Sequence, residues 1–215
     1  MEKEPSFILA LDVSTTTIGI ALFEDLGDKG HLEFVKHVSP KIKPQPENKM
    51  EELFKKVELF ESEFLFKYKN LNITKVVIEE PLLQSNNIYT VVTLVRFNGM
   101  ISKSVYDTLG VVPDFISSYD ARKYGFPELM EKRKFKKDGT PLPEKQIAKN
   151  EPVLFGGHDF DVDKKMVVWE KVADECPTIK WFYDKKNKLV KESFDCSDAY
   201  VAGVGYMNKI GKWKR

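Results

Sequence analysis

The first forty residues alternate short apolar runs with polar turns. Residues 7–11 form one continuous apolar run, residues 17–23 form a second, and residues 32–38 alternate more weakly. Apolar runs of this length are typical of buried strands, and the short gaps between them predict an antiparallel meander. The strand pattern then ends in a predicted linker, marked by Pro40, Pro44 and Pro46.

The pattern next changes to a helical period. Asn48 is a suitable N-cap, and an apolar stripe follows it at helical spacing, made of Met50, Leu53, Phe54, Val57, Phe60 and Phe64. The β-branched residues 75–78 predict a central strand that ends at Glu79, and residues 113–116 predict a fifth strand. Residues 88–105 are long and largely apolar, which indicates a buried or interface helix.

The carboxy-terminal half predicts two further helices. Asp161 or Asp163 can cap a helix that runs to about residue 176, and Asp195 or Ser197 begins a final helix that ends near residue 207. Strands at the start, followed by alternating strands and helices, predict an α/β domain built on a mixed sheet.

Length and composition limit the class of protein. The chain has 215 residues, which favours one elaborated domain, and 42% of them are hydrophobic, which is enough for a core. No window approaches the ~18 consecutive apolar residues of a membrane span. The first five residues carry acids where a secretory signal is basic and then apolar. With only two cysteines, Cys176 and Cys196, we expect a soluble intracellular protein.

The net charge of +1 hides an uneven distribution. Residues 132–149 contain seven basic and two acidic residues, a net charge of +5, and residues 208–215 carry +4 with no acid. About −8 remains for the rest of the chain. A solvated loop and a frayed tail are one interpretation of the two basic segments. The other interpretation is that the two basic segments bind a polyanion electrostatically.

Four acids stand at the ends of predicted elements. Asp12 and Glu79 each follow an apolar strand, and Asp195 and Asp198 lie three residues apart at the predicted start of the last helix. Each acid alone also fits a helix cap or a solvent-exposed position. Together the four would repel one another unless a cation lay between them. Hard oxygen ligands without His or Cys favour Mg²⁺ or Mn²⁺, and two such ions support in-line phosphoryl displacement.

Several short motifs follow one another from about residue 8 to residue 206. They are residues 8–12 with Gly19, residues 77–80, Asn86 seven positions after Glu79, residues 119–122, Lys164, and residues 195–199. In this order they resemble the motifs of RuvC-like Holliday junction resolvases. Two features depart from that family. Val13 and Ser14 stand where Pro-Gly is usual, and the stretch between residues 124 and 161 is longer than in the bacterial enzymes, which would suit a viral or phage member.

The resemblance implies a ribonuclease H-like fold, with a five-stranded mixed sheet flanked by helices. It implies a single domain over residues 1–215, with a basic insertion at about 126–160 and a basic C-terminal tail at 208–215. It further implies that two Mg²⁺ ions, replaceable by Mn²⁺, are held by Asp12, Glu79, Asp195 and Asp198. Glu80 is the alternative to Glu79 if the register shifts by one. Lys164 would offset charge on the scissile phosphate.

The same resemblance implies a homodimer that nicks four-way DNA junctions at two symmetric strands, with the helix at 88–105 as the candidate interface or simply as core. The residues expected to contact DNA are Leu82, Asn86, Lys132, Arg133, Lys134, Lys136, Lys137 and Lys165, and the C-terminal tail is a further candidate. The implied location is the cytoplasm, that of the host for a viral protein. No membrane and no nucleotide cofactor are implied.

Three alternatives remain open at this stage. Residues 12–17 with Gly19 also resemble the phosphate loop of actin-like sugar kinases, although no second phosphate loop is present. A second alternative is a non-catalytic DNA-binding module, which would normally have lost some of the acids, whereas all four are present. The chemistry could also act on flaps, forks or RNA–DNA hybrids instead of four-way junctions.

Overall fold

A five-stranded mixed sheet with the strand order β3-β2-β1-β4-β5 forms the centre of the molecule. The structure is a computed structural model, and it describes residues 4–81 and 87–214. The strands are β1 (Phe7–Val13), β2 (Ile18–Asp25), β3 (Gly30–Val38), β4 (Ile73–Glu79) and β5 (Asp114–Ile116). The first three strands are antiparallel, and β4 and β5 run parallel to β1 and to each other. The predicted meander, the later strands and the mixed α/β sheet are confirmed.

Strand β1 is buried on both faces, which explains its continuous apolar sequence. Ile8 and Ala10 belong to one hydrophobic cluster, whereas Leu9 and Leu11 belong to another on the opposite face of the sheet. Successive side chains of a strand point to opposite faces. Asp12 therefore continues the face of Ile8 and Ala10.

Helices α1 (Lys49–Phe60) and α3 (Ile88–Leu109) contribute to the cluster that contains Leu9 and Leu11. Asn48 caps α1 as predicted, because its side chain accepts from the backbone N–H groups of the first turn. A π-helical turn (Glu61–Leu65) and the short α2 (Phe66–Tyr68) continue α1. In the described part of the chain, no helix is long and apolar enough to cross a membrane.

The face of the sheet that carries Ile8 and Ala10 is covered by α4 (Ser118–Gly125), α6 (Lys164–Glu175) and α7 (Lys191–Lys209). A Cβ on Gly205 of α7 would lie 2.3 Å from the Ala121 carbonyl oxygen of α4. Only glycine permits this close helix contact, which fixes α7 against α4 above the sheet.

The basic insertion (residues 126–160) contains a short ladder and a short helix. Strand β6 (Met130–Lys132) pairs antiparallel with β7 (Pro152–Leu154), and α5 (Glu144–Lys149) lies between them in the chain. These short elements lie within a segment that otherwise has no α-helix or strand, in keeping with the loop interpretation. Local sequence does not indicate the ladder because it joins residues about twenty positions apart, which leaves little local signal in a Lys- and Pro-rich sequence.

The described part of the C-terminal tail, residues 208–214, packs against the domain. Trp213 is 5% exposed, packs 5.4 Å from the ring of Phe23, and donates to Asp25 Oδ1 at 3.2 Å. Lys209 pairs with Asp120 at 2.7 Å, and Lys212 pairs with Asp25. The two ion pairs and the buried indole account for the tail as part of the fold, so its positive charge is partly used internally.

Candidate active site

Asp12 and Glu79 come together because their strands are neighbours. Strands β1 and β4 run parallel with Leu11 opposite Ile78, so that the next residues, Asp12 and Glu79, lie side by side at the same edge. Val77 belongs to the cluster on the α7 face, and Glu79, two residues later, shares that face. Glu80, the alternative ligand, is exposed.

Helix α7 supplies the other two carboxylates. It begins at Lys191, one turn before the predicted start at Asp195 or Ser197, because Ser193 exchanges hydrogen bonds of 2.8 Å with both the N–H and the C=O of Phe182. These tertiary contacts hold a turn that local sequence does not indicate. Asp195 and Asp198 therefore lie within the second turn of the helix and not at its start. Both are buried, and their i, i+3 spacing places them on one face.

Gly19 allows α7 to approach the strands. It lies opposite Asp12 in the β1–β2 ladder, and a Cβ at this position would lie 2.1 Å from the Asp195 carbonyl oxygen. Any larger residue would have to displace the helix backbone. The glycine of the sequence motif is thus the residue that lets the carboxylates of α7 reach those of β1 and β4.

Three cationic side chains surround the α7 acids. Lys165 Nζ lies 3.0 Å from Asp198 Oδ2 and 3.7 Å from Asp195 Oδ1. Arg122 donates to Asp198 Oδ1 at 3.2 Å, and Lys191 donates to Asp195 Oδ2 at 2.6 Å. The carboxylate cluster is therefore partly neutralised by the chain itself.

The pKa values of the acids reflect burial and mutual charge repulsion within the cluster. Burial, followed by the charges of Asp198 and Asp195, raises the pKa of Asp12 to about 8. Burial and then the charges of Asp12 and Asp198 raise the pKa of Glu79 well above its ordinary value, against the opposing effects of Arg122 and a Ser118 hydrogen bond. Burial also raises the pKa of Asp195, although Lys191 opposes the increase. Such shifts indicate carboxylates whose burial and mutual repulsion the surrounding cations do not fully offset.

Of the two adjacent lysines at the start of α6, the structure brings Lys165 to the acids and not Lys164. Lys164 directs its ammonium toward the ring of Phe155, 6.0 Å from the centroid. Asp163 caps the helix through the N–H groups of Lys165 and Met166, which fixes the phase of this turn. Burial lowers the pKa of Lys165, but the carboxylates of Asp198, Asp12 and Asp195 together outweigh it, and the pKa is raised overall.

The β1–β2 turn follows Asp12 and contains the Val13-Ser14 departure. Ser14 Oγ donates to the Thr17 carbonyl at 2.8 Å and accepts from its N–H at 3.1 Å, which closes a tight turn. Lys56, which is 9% exposed, donates to the Thr15 carbonyl at 2.9 Å. The serine thus gives the turn a defined conformation without Pro-Gly.

The residues expected to contact DNA divide into three groups. Leu82 and Asn86 lie outside the described residues. Lys132, Arg133 and Lys134 have internal partners, which are respectively the Ala148 carbonyl, the ring of Phe160 and the Glu131 carboxylate. Lys136 and Lys137 are exposed, and in the described ranges their side chains make no hydrogen bond or ion pair. Lys165 lies at the carboxylates.

The oxygen donors of the cluster determine which cation it can hold. Four carboxylates with hard oxygen atoms, three of them with raised pKa values, match Mg²⁺ or Mn²⁺ by chemistry. Among the described residues, however, no three His, Cys, Asp or Glu side chains form a ready-made metal-binding group. The reason is visible at Asp195 and Asp198, whose oxygen atoms contact Lys191, Lys165 and Arg122 instead. The residues fit a metal once these contacts with ammonium and guanidinium groups exchange.

Sequence reasoning gave no role to Lys191, Arg122 or Ser118. A signal for Lys191 is present, since Lys and Asp at positions i and i+4 of a helix can pair. It could be used only if the helix were known to begin at Lys191. Arg122 and Ser118 reach the site from α4, which follows β5. Arg122 lies in the motif at residues 119–122, but no local pattern indicates its contact with Asp198.

The comparisons with known proteins identify the architecture. A scan against protein-family models finds no match, and a search of curated proteins finds no similar sequence. A structure of Thermus thermophilus RuvC in complex with a Holliday junction substrate is 12% identical, covers 96% of this chain and 97% of that chain, and has a TM-score of 0.53. A further T. thermophilus RuvC structure is 13% identical over the same fractions, with a TM-score of 0.50. The likeness over almost the full length of both chains shows that this protein has the ribonuclease H-like α/β fold of RuvC.

Proposed function

We propose that the protein is a metal-dependent endonuclease that cuts branched DNA and, specifically, resolves four-way junctions by paired nicks. The observation that carries the proposal is the cluster of Asp12, Glu79, Asp195 and Asp198, brought together from two strands and one helix with raised pKa values at three of them. Buried carboxylates that repel one another lower the stability of the fold, and a role in phosphodiester hydrolysis would explain why they are present. The fold shared with RuvC supports the same conclusion.

Each side chain of the cluster has a separate role. Asp12, Glu79, Asp195 and Asp198 would hold Mg²⁺ or Mn²⁺. When bound, two such ions supply an activated water and a stabilised leaving oxygen. Lys165, adjacent to Asp198, is placed to offset charge that develops on the phosphate, a role that the sequence assigned to Lys164. Arg122 orients Asp198, and Ser118 orients Glu79 through a hydrogen bond.

The exposed lysines of the basic insertion provide a surface for duplex arms. Lys136 and Lys137 offer the least compensated charge among the five basic residues named there, and phosphate contacts of this kind give affinity without base recognition. The RuvC structure with its Holliday junction substrate supports branched DNA as the ligand class. Leu82 and Asn86 are retained in the proposal as contacts near the junction centre.

Paired nicks require two active sites, so we include a homodimer in the proposal. Helix α3 buries Phe97, Ile101 and Val105 in the core, yet its first half exposes apolar side chains, namely Ile88, Tyr89, Val92 and Val95. These four residues fit an interface between two copies of the chain. Sedimentation equilibrium of wild type and V92D/V95D tests this assignment, since the variant is expected to be monomeric.

The central experiment compares cleavage and binding of four-way, three-way, flap and linear DNA in Mg²⁺. Wild type is expected to cut the four-way junction symmetrically, whereas D12N is expected to bind it without cutting. D28N, at an exposed aspartate of the β2–β3 turn, is the matched control and should cut normally. Cleavage by D12N would contradict the site assignment. Hydrolysis of ATP without any DNA cleavage would favour the kinase-like alternative.

A further inference from the structure

Lys191 is held at the carboxylate cluster by three oxygen atoms. Its Nζ lies 2.6 Å from Asp195 Oδ2, 3.2 Å from Ser14 Oγ and 3.3 Å from Thr16 Oγ1. An ammonium group has three N–H donors, so each donor has an acceptor. Ser14 and Thr16 belong to the β1–β2 turn and Asp195 to α7, which means that the tertiary fold defines this position and not the helix alone.

The ammonium occupies an oxygen that a divalent cation would use. Asp195 is 2% exposed, and its second oxygen is 3.7 Å from Lys165 Nζ. A metal ion that approaches Oδ2 therefore competes with the Lys191 ammonium, and one that approaches Oδ1 meets the charge of Lys165. Lys191 is suited to leave, because its side chain is 53% exposed and can turn into water while the buried Asp195 stays in place.

We propose that Lys191 is a built-in competitor for the divalent cation at Asp195, with the Ser14 and Thr16 hydroxyls holding it in the resting position. The inference rests on the proposed function, because it concerns the same metal-dependent site. With Lys191 in place the site is partly neutral and fills only at higher metal concentration. A DNA phosphate that draws the ammonium away from Asp195 would open that oxygen to the metal, so substrate and metal would load together.

The size of the effect follows from the exposure of the pair. A half-exposed ammonium on a buried carboxylate lies between weak surface pairs and strong buried pairs. Removal of Lys191 also removes repulsion between its charge and the incoming cation, which acts in the same direction. We therefore expect K191M to bind Mn²⁺ about tenfold more tightly than wild type, which corresponds to about 1.4 kcal/mol.

The test is a titration of the full-length, DNA-free protein with Mn²⁺, in which unbound Mn²⁺ is measured by electron paramagnetic resonance. K186M removes an exposed lysine five positions earlier and controls for the change in net charge. T16V removes one hydroxyl of the resting position at an exposed residue and should tighten Mn²⁺ binding to a smaller extent. K186M should bind as wild type does. Thermal melting by circular dichroism confirms that each variant is folded.

The outcomes separate the inference from the proposed function. If wild type binds Mn²⁺, D12N weakens binding, and K191M binds no more tightly than K186M, the competitor role of Lys191 is refuted while the metal site stands. A purely structural role of Lys191 would give weaker binding in K191M. If wild type binds no Mn²⁺, or if D12N binds it equally well, the metal chemistry of the proposed function fails, and the inference fails with it. Should K191M not fold, the T16V result decides alone.

Discussion

Replacement of Asp12 by asparagine is expected to stabilise the metal-free protein near neutral pH. The pKa of Asp12 is about 8 in the folded chain against an ordinary value of 3.8. Between these two values the folded chain retains a proton that the unfolded chain releases, so stability is greatest at acidic pH and falls as the pH rises to about 8. The neutral amide of an asparagine at this position does not titrate, so this pH-dependent loss would be absent from the variant.

The magnitude follows from the same shift. From the ordinary pKa of 3.8 up to pH 7 is an interval of about three units, and each unit is worth about 1.4 kcal/mol, which gives roughly 4 kcal/mol as an upper bound. Neighbouring acids that titrate together with Asp12 share this cost. We therefore expect D12N to be more stable than wild type by about 2–4 kcal/mol at neutral pH and nearly equal to it at about pH 4.

Urea denaturation in EDTA, followed by circular dichroism at several pH values, measures this difference. D28N provides the control at an exposed aspartate and should follow wild type throughout. The reasoning would be refuted if D12N were less stable than wild type at neutral pH, or if the difference did not vary with pH. Added Mg²⁺ should reverse the order, because the ion stabilises wild type and lacks a ligand in D12N.

Three further variants test separate parts of the argument. G19A should lose about 2–4 kcal/mol of stability in urea denaturation and should also lose junction cleavage, because the added Cβ would lie 2.1 Å from the α7 backbone. The control is G99A, where a Cβ meets no atom within 4 Å, and this variant should instead gain up to about 1 kcal/mol of stability. K165M should lower the single-turnover cleavage rate by about 10²-fold or more while junction binding measured by gel shift persists. K136A/K137A should weaken junction binding and reduce the slope of log affinity against log salt by up to about 2, as measured by fluorescence anisotropy.

Two of these variants have matched controls in the chain. K164M removes the neighbouring ammonium, which faces Phe155, and should leave cleavage closer to wild type than K165M does. K185A/K186A removes two exposed lysines outside the basic insertion. Equal losses in K164M and K165M would contradict the placement of the phosphate-facing lysine. If the salt slope changed equally in both double variants, the insertion lysines would contribute only through the net charge of the protein and not through specific phosphate contacts.

Short sequence patterns were sufficient to predict most of the fold and to identify the four acids. The apolar run of β1 and the Asn48 cap each depend on a few adjacent residues, and Asp12 and Glu79 follow directly from strand ends. The cations could not be found in the same way. Lys165 differs from Lys164 by one helix position, which is decided by the Asp163 cap, and Lys191 matters only because distant Phe182 contacts extend α7.

The cations also determine which acids most need a metal. Asp195 and Asp198 have Lys191, Lys165 and Arg122 within 2.6–3.7 Å. Asp12 has no ion pair in the part of the chain that the structure describes, and its pKa is raised to about 8. Asp195 and Asp198 therefore have cations of the chain itself beside them, whereas Asp12, with its raised pKa, binds a proton or an external cation near neutral pH. In the proposed metal site, the first divalent ion would therefore be drawn most strongly to the strand side of the cluster, and Lys191 would compete with an ion on the α7 side.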